Sequence, residues 1–287
     1  MALATVVSTW GSAPRPRGSH MLIAADGRFE GSVSGGCVEG DVLVAGAEVI
    51  AQGGVRRLHY GVTDMTAWDV GLPCGGEIEV LVQPVSEAGF SPALFGRIAG
   101  ARLAGEALML ATDLDTGHTS EQPRDGAFLN IYSPPRRMLV VGAVQIAQSL
   151  VRMARELDML TTVIDPRGRF LTEDRFPDTI LDDRWPDEAV AAARPDPATA
   201  IITLSHDIKI DDPALAAALR SRAGYIAALG SRRSHAKRME RLATMGFDEA
   251  ALARIDAPAG IDIGGVGPAE IALSVAAGAV RAFSNKR

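Results

Sequence analysis

The chain has 287 residues, 47% of them hydrophobic and 22% charged, with 29 Lys plus Arg against 35 Asp plus Glu for a formal net charge of −6. That length and apolar content suffice for a well-buried core spread over about two domains. The acidic balance excludes the basic face of a nucleic-acid binder, and no apolar run is long enough to cross a bilayer. With only two cysteines and no secretory leader pattern, the expected location is the cytoplasm, where thiols stay reduced.

Ala2 to Ser8 is a β-branched run that predicts a buried strand. The loop Gly11-Ser12-Ala13-Pro14-Arg15-Pro16-Arg17-Gly18 follows, where glycine and two prolines forbid regular structure. Met21 to Ala24 predicts a second strand, turned by the Asp26-Gly27 hairpin signal into a third at Arg28 to Val33. Arg15 and Arg17 are therefore held in a short, stiff loop. Near the Cys37 turn they would bind a phosphate; away from it the loop is simply solvated.

The stretch Gly31-Ser32-Val33-Ser34-Gly35-Gly36-Cys37-Val38-Glu39-Gly40-Asp41 sets one cysteine in a glycine-rich turn with acids directly behind it. Val38 to Gln52 has apolar residues at helical spacing, so helix amides and dipole point back at Ser34 to Cys37. A helix N-terminus lowers a thiol pKa and attracts anions, which predicts either a reactive thiolate or a bound phosphate oxygen. Arg56 to Tyr60 reads as a strand. The second cysteine has a similar setting, with Gly71-Leu72-Pro73-Cys74-Gly75-Gly76 preceding the alternating strand Glu77 to Val82. Glycine lets backbone approach a ligand closely, although free cysteine is also among the residue types most often buried as small hydrophobes. Two thiols do not complete a structural zinc site, and neither CxxC nor HExxH occurs. A soft ligand or a sulfur relay stays open as a role.

Phe90 to Ala104 predicts a helix, Ala107 to Thr112 and Ala127 to Ile131 predict strands, and Asp113 to Asp125 is a polar loop. Ser133-Pro134-Pro135-Arg136 is the best boundary, because a Pro-Pro pair is extended and ends regular structure. The expected division is residues 1–85, a connecting α/β segment at 86–135, and a Rossmann-like domain at 136–287.

Arg137 to Val141 is an apolar strand, Gly142 opens a turn into a helix reaching about Leu157, and Leu160 to Ile164 is a strand ending at Asp165. Strand, glycine turn, helix, strand and acid form the opening βαβ unit of a dinucleotide-binding fold. Of the glycine fingerprint only Gly142 is present; Val144 takes the second position and Ala147 the third, which weakens ordinary NAD binding. Strands at Ala200 to Leu204 and Tyr225 to Leu229 lead into Ser205-His206-Asp207 and Gly230-Ser231-Arg232-Arg233-Ser234-His235. Both clusters fall at the sheet edge where open parallel sheets bind ligands, with Ser231, Arg232 and Arg233 as a candidate oxyanion site. His206 reads equally as a cap, a packing residue or a ligand. A glycine-rich loop at 259–267 then leads, through Pro268, into a closing helix.

Gly31-Ser32-Val33-Ser34-Gly35-Gly36-Cys37-Val38-Glu39, Gly71-Leu72-Pro73-Cys74-Gly75-Gly76, Arg175-Phe176-Pro177, Leu204-Ser205-His206-Asp207, Leu229-Gly230-Ser231-Arg232-Arg233 and the run from Gly260 to Ala272 resemble, in order, the signature blocks of the XdhC/CoxI family. The resemblance implies an N-terminal α+β XdhC/CoxI domain plus a C-terminal Rossmann-like parallel-sheet domain. It implies a maturation chaperone rather than an enzyme, which binds molybdenum cofactor (molybdopterin) and supports its sulfuration by a cysteine desulfurase. Such a chaperone inserts the cofactor into an apo molybdenum hydroxylase of the xanthine dehydrogenase type, and members commonly form homodimers. Two features depart from the family: Val144-Gln145 stands where a glycine-histidine pair is usual, and the chain begins at its first strand where relatives carry a leading helix, which is compatible with a shortened start. Molybdenum cofactor presents a phosphate, a pterin and a dithiolene-bound metal, so its host needs oxyanion donors, a flat slot and a soft ligand. The expected set has Cys37 and Cys74 near the molybdenum or carrying sulfur, with Arg15, Arg17 or the Arg232-Arg233 turn on the phosphate. Ser34, Gly35, Gly36, Glu39, Gly75, Gly142, Asp165, His206 and Ser231 complete it. The competing reading is an NAD(P)-dependent oxidoreductase that uses the βαβ unit and Asp165.

Overall fold

In the computed structural model, which describes residues 1–61 and 76–284, the chain divides into two compact units, Met1–Pro134 and Pro135–Arg287. The first unit begins with the β-branched strand β1 (Ala2–Trp10), followed by β2 (His20–Ile23) and β3 (Phe29–Gly31). Next come the helix α1 (Glu39–Gln52), β4 (Arg56–Tyr60) and β5 (Glu77–Pro84). These strands form one antiparallel sheet in the order β3-β2-β1-β5-β4. Val42, Ala45 and Val49, at helical spacing on α1, pack against Ala4, Val6, Val80 and Val82 on one face of that sheet.

Residues after β5 close the other face. Helix α2 (Pro92–Ala104) starts at a Ser91 cap and ends at Gly105 in the left-handed conformation. It is followed by β6 (Leu108–Thr112), β7 (Thr119–Ser120) and β8 (Phe128–Tyr132), which form a second sheet in the order β7-β6-β8. Strand β7 lies inside the stretch expected to be loop. Leu3 packs with Phe90, Leu94 and Leu110, and Val7 with Leu81 and Phe128. Both faces of β1 are thus covered, and Ala2 to Val7 are buried without interruption. His20 ties the two sheets together: its Nδ1 bonds the Thr5 hydroxyl at 2.9 Å and its Nε2 bonds the Tyr132 hydroxyl at 2.9 Å, with the two rings stacked.

The second unit is the parallel sheet expected from the βαβ pattern. Its elements are β9 (Arg137–Val141), α3 (Gln145–Glu156), β10 (Leu160–Ile164), β11 (Ile180–Asp182), α4 (Pro186–Ala192) and β12 (Thr199–Thr203). After them come α5 (Ile208–Arg220), β13 (Tyr225–Ala228), α6 (Arg232–Thr244), α7 (Glu249–Leu252), β14 (Ile255–Asp256) and α8 (Pro268–Ser284). The sheet order β11-β10-β9-β12-β13-β14 is that of a doubly wound fold, and the chain reverses direction across the sheet between β9 and β12. Leu150, Ala154, Val275 and Ala279 of α3 and α8 fill one face; Val190, Leu215, Leu219 and Leu242 of α4 to α6 fill the other. The central strands β12 and β13 are buried at every residue, as two covered faces require.

Candidate functional site

In the first unit the site is built around the turn from Ser32 to Cys37. Gly35 and Gly36 have φ of +82° and +125°, values that L side chains rarely adopt, and they curl successive amides inward. The anion those amides hold is the chain's own. Glu39, the first residue of α1, accepts from the amides of Ser34, Gly35 and Gly36 at 2.9, 3.0 and 2.8 Å. It also accepts from the hydroxyls of Ser32 and Ser34 at 2.7 and 2.5 Å. Burial pushes the Glu39 carboxyl up, but the hydrogen bonds from Ser34 and Ser32 outweigh it and bring its pKa down to about 2. Ser34 is itself buried and its hydroxyl accepts the Val38 amide at 3.0 Å. The phosphate oxygen expected among these donors therefore has no vacant place in the turn.

Cys37 ends that locked turn, exposed and unbonded to another cysteine. A Cβ built on Gly35 or Gly36 meets nothing within 4 Å among the described residues, so these glycines are required by their φ rather than by crowding. Cys74 and Gly75 lie outside the described residues. Arg17 stacks over the Phe128 ring at 4.6 Å, and Arg15 is exposed. Tyr60 is a neighbour that sequence reading missed. It is buried, its hydroxyl has no hydrogen-bond partner among the described residues, and burial followed by the charges of Asp41 and Glu39 raises its pKa. It borders a cleft of about 220 Å³ whose wall includes Trp10, His59, Glu77 and Glu79. An aromatic at a strand end reads as packing, so no sequence signal marks it.

In the second unit, Gly142 has φ of +103°, and a Cβ there would come within 2.8 Å of the Ser205 amide nitrogen at the exit of β12. Asp165 is fully buried. Its carboxylate accepts from the Ala143 amide at 2.8 Å, from the Arg167 amide at 2.9 Å and from two guanidinium nitrogens of Arg167 at 2.8 and 2.7 Å. Burial opposes the charge, but these bonds hold the carboxyl below its ordinary range. With each oxygen accepting twice, Asp165 has no lone pair left for a ribose hydroxyl. Arg175 donates to the Ala143 carbonyl at 2.8 Å, so the Arg175-Phe176-Pro177 block braces the same turn.

The other edge residues sit in the loops after β12 and β13. His206 is exposed with φ of +60°. Ser231 caps α6 by accepting the Ser234 amide at 3.2 Å, and Arg232 and Arg233 are exposed on the helix's first turn.

Residues 138–278 match the family model of the XdhC Rossmann domain, and residues 1–61 that of the XdhC and CoxI family. The molybdenum cofactor insertion chaperone PaoD of Escherichia coli (strain K12) is 32% identical over 269 residues, spanning 90% of this chain and 76% of that protein. The chain belongs to the XdhC and CoxI family. A protein of Bacillus subtilis (strain 168) described as a probable xanthine dehydrogenase subunit is 24% identical over 308 residues, spanning 96% and 91% of the two chains. A crystal structure described as a xanthine dehydrogenase from Bacillus halodurans has the same fold, with a TM-score of 0.82 and 24% identity over 100% of this chain and 92% of that one.

In this XdhC/CoxI chain the family blocks resolve into two kinds of part. Ser34, Gly35, Gly36 and Glu39 form a scaffold that presents Cys37; Gly142, Asp165, Arg167 and Arg175 form a scaffold at the opening of α3. The glycine-rich block before α8 repeats the first device, with Glu270 accepting the amides of Val266 and Gly267 at 2.8 and 2.9 Å. What remains open for chemistry is an accessible thiol in one unit and basic side chains at the sheet edge of the other. No group of three or more His, Cys, Asp or Glu suited to a metal ion occurs among the described residues, and none of their helices is long and apolar enough to cross a membrane.

Proposed function

We propose that the chain is an accessory protein of molybdenum hydroxylase maturation. It takes molybdenum cofactor as cargo, supports exchange of the terminal oxo ligand for sulfido with a cysteine desulfurase, and delivers the product to an apo-enzyme of the xanthine dehydrogenase type. Its working form is a cytoplasmic homodimer. The observation that carries this reading is the exposed Cys37 on a turn locked by Glu39, in a chain 32% identical over most of its length to an insertion chaperone. A thiolate is a soft ligand suited to a sulfur-rich metal centre, and an exposed thiol on a turn already held by Glu39 can meet a bulky complex without reordering backbone. Cys74 is assigned to the same task from its glycine setting in the sequence. The saturated carboxylate of Asp165 argues against the nicotinamide-dependent reading.

The test is to express the chain with an active cofactor pathway and measure molybdenum and pterin in the purified protein, alone and with Cys37→Ala, Cys74→Ala or both. Wild type should retain both components, and the double variant should lose retention or fail to raise the sulfido content of the client enzyme. Unchanged retention together with unchanged sulfido content would remove the cysteines from the mechanism.

A further inference from the structure

One face of α6 carries Ser234, Lys237, Arg238 and Arg241 at the spacing that stacks side chains along a helix. Between this face and the first turns of α5 lies a cavity of about 250 Å³, also bordered by His206, Asp211 and Asp212. Arg238 is only 5% exposed. One of its terminal nitrogens donates to the Leu229 carbonyl at 3.0 Å and stands 3.8 Å from Asp211, while Nε and the other terminal nitrogen have no partner among the described residues. A buried guanidinium with unmade hydrogen bonds is costly, and native folds retain such groups where something else completes them.

The nearby acids do not complete it. Asp212 is held by Arg241 through two bonds of 2.5 and 3.0 Å. Asp211 Oδ1 accepts from the Ser205 hydroxyl at 2.6 Å and from its amide at 3.3 Å, and burial pushes the carboxyl pKa up. Lys237 is exposed and engages neither acid. Among the described residues, the unmade side-chain bonds at this cavity are therefore those of the Arg238 cation. A divalent cation would find Asp212 already taken by Arg241 and the free oxygen of Asp211 facing the Arg238 guanidinium at 3.8 Å.

We infer that this cavity is an oxyanion site of the parallel-sheet unit that takes a phosphate group or phosphate ester, with Arg238 and Lys237 as its cationic donors and His206 on its rim. It lies beside the exits of β12 and β13, the edge where open parallel sheets bind ligands. The inference does not rest on the cofactor-carrier reading.

The test uses the full chain and two probes, inorganic phosphate and inorganic pyrophosphate, titrated by calorimetry and by thermal unfolding against sodium chloride of matched ionic strength. Saturable binding of pyrophosphate with a concentration-dependent rise in Tm is expected. Lys237→Ala, a surface change that leaves the unliganded Tm in place, should weaken it at least about fivefold, and Arg238→Gln should weaken it further. Absence of saturable binding of either probe up to about 10 mM, or affinity unchanged in Lys237→Ala, overturns the site. Molybdenum retention is measured separately, so a chain that binds pyrophosphate but carries no cofactor fails only the carrier reading.

Discussion

The carboxylate of Glu39 accepts the amide of Ser34 at 2.9 Å and its hydroxyl at 2.5 Å, so the acid that opens α1 closes the turn before it. Amides curled inward by a glycine turn ahead of a helix are ready-made donors for a bound anion. Here an internal carboxylate takes the amides of Ser34, Gly35 and Gly36, and the turn becomes a rigid mount for Cys37 rather than an anion hole. Glu270, in the first turn of α8, reaches back to the amides of Val266 and Gly267 in a related way, so an acid folding back on the loop before its helix recurs in this chain.

Removing that charge should loosen the mount. Glu39→Gln is expected to lower stability at pH 7 by about 2 kcal/mol. Because the native pKa of about 2 lies below the ordinary value of 4.5, the contribution is complete above 4.5 and disappears as pH falls through 2. Urea unfolding of wild type and variant should therefore differ at pH 7 and converge toward pH 2; a constant gap would contradict the assignment.

Cys37 should behave as an accessible surface thiol. In a Cys74→Ala background, a disulfide reagent such as 5,5′-dithiobis(2-nitrobenzoate) should modify it under native conditions without denaturant. Cys37→Ser should change stability by no more than about 0.5 kcal/mol, as expected of an exposed position. A thiol that reacts only after unfolding would mean the turn is covered.

Gly142 is required by its neighbour rather than by a ligand. Alanine there would have to hold φ of +103° and place a Cβ 2.8 Å from the Ser205 amide nitrogen. Gly142→Ala should cost about 2 to 3 kcal/mol, read as a lower thermal midpoint. An unchanged midpoint would show that β12 can shift its exit freely.

Arg167→Ala leaves the buried Asp165 with only amide donors. It should cost about 2 kcal/mol and raise the Asp165 pKa, so that stability is lost at a higher pH on acidification. Wild type, with this carboxylate saturated, should show no saturable NADH fluorescence change at micromolar concentrations. Tight NADH binding would require the pair to open.

His20 is held neutral by burial, with its pKa lowered to about 4 from 6.5. The unfolded chain takes up that proton first, so stability falls as pH drops from 6.5 to about 4 and is insensitive to His20 above 6.5. Ring resonances of His20 in an NMR titration should stay in the neutral form at pH 5.5, and an imidazolium signal there would refute the buried network with Thr5 and Tyr132.

Local rules were enough for much of this protein. The β-branched run of β1, the hairpin at Asp26-Gly27, the helical spacing behind Cys37 and the strand-turn-helix-strand pattern from Arg137 to Asp165 all express short-range sterics and hydrophobic period, and they announced the α/β architecture. The sequence also marked which residues cluster near Cys37, because glycines and acids close in the chain are close in space. What it could not determine was who bonds whom. Whether Glu39 or a ligand fills the turn, whether Asp165 faces a ribose or Arg167, and that Arg238 is buried with donors unmade are outcomes of long-range packing and of competition among donors for a limited set of lone pairs. Elements with little local signal, such as the short strand β7 or α5 with its internal Pro213, are stabilised by the sheets and helices they pack against, so only tertiary structure could decide them.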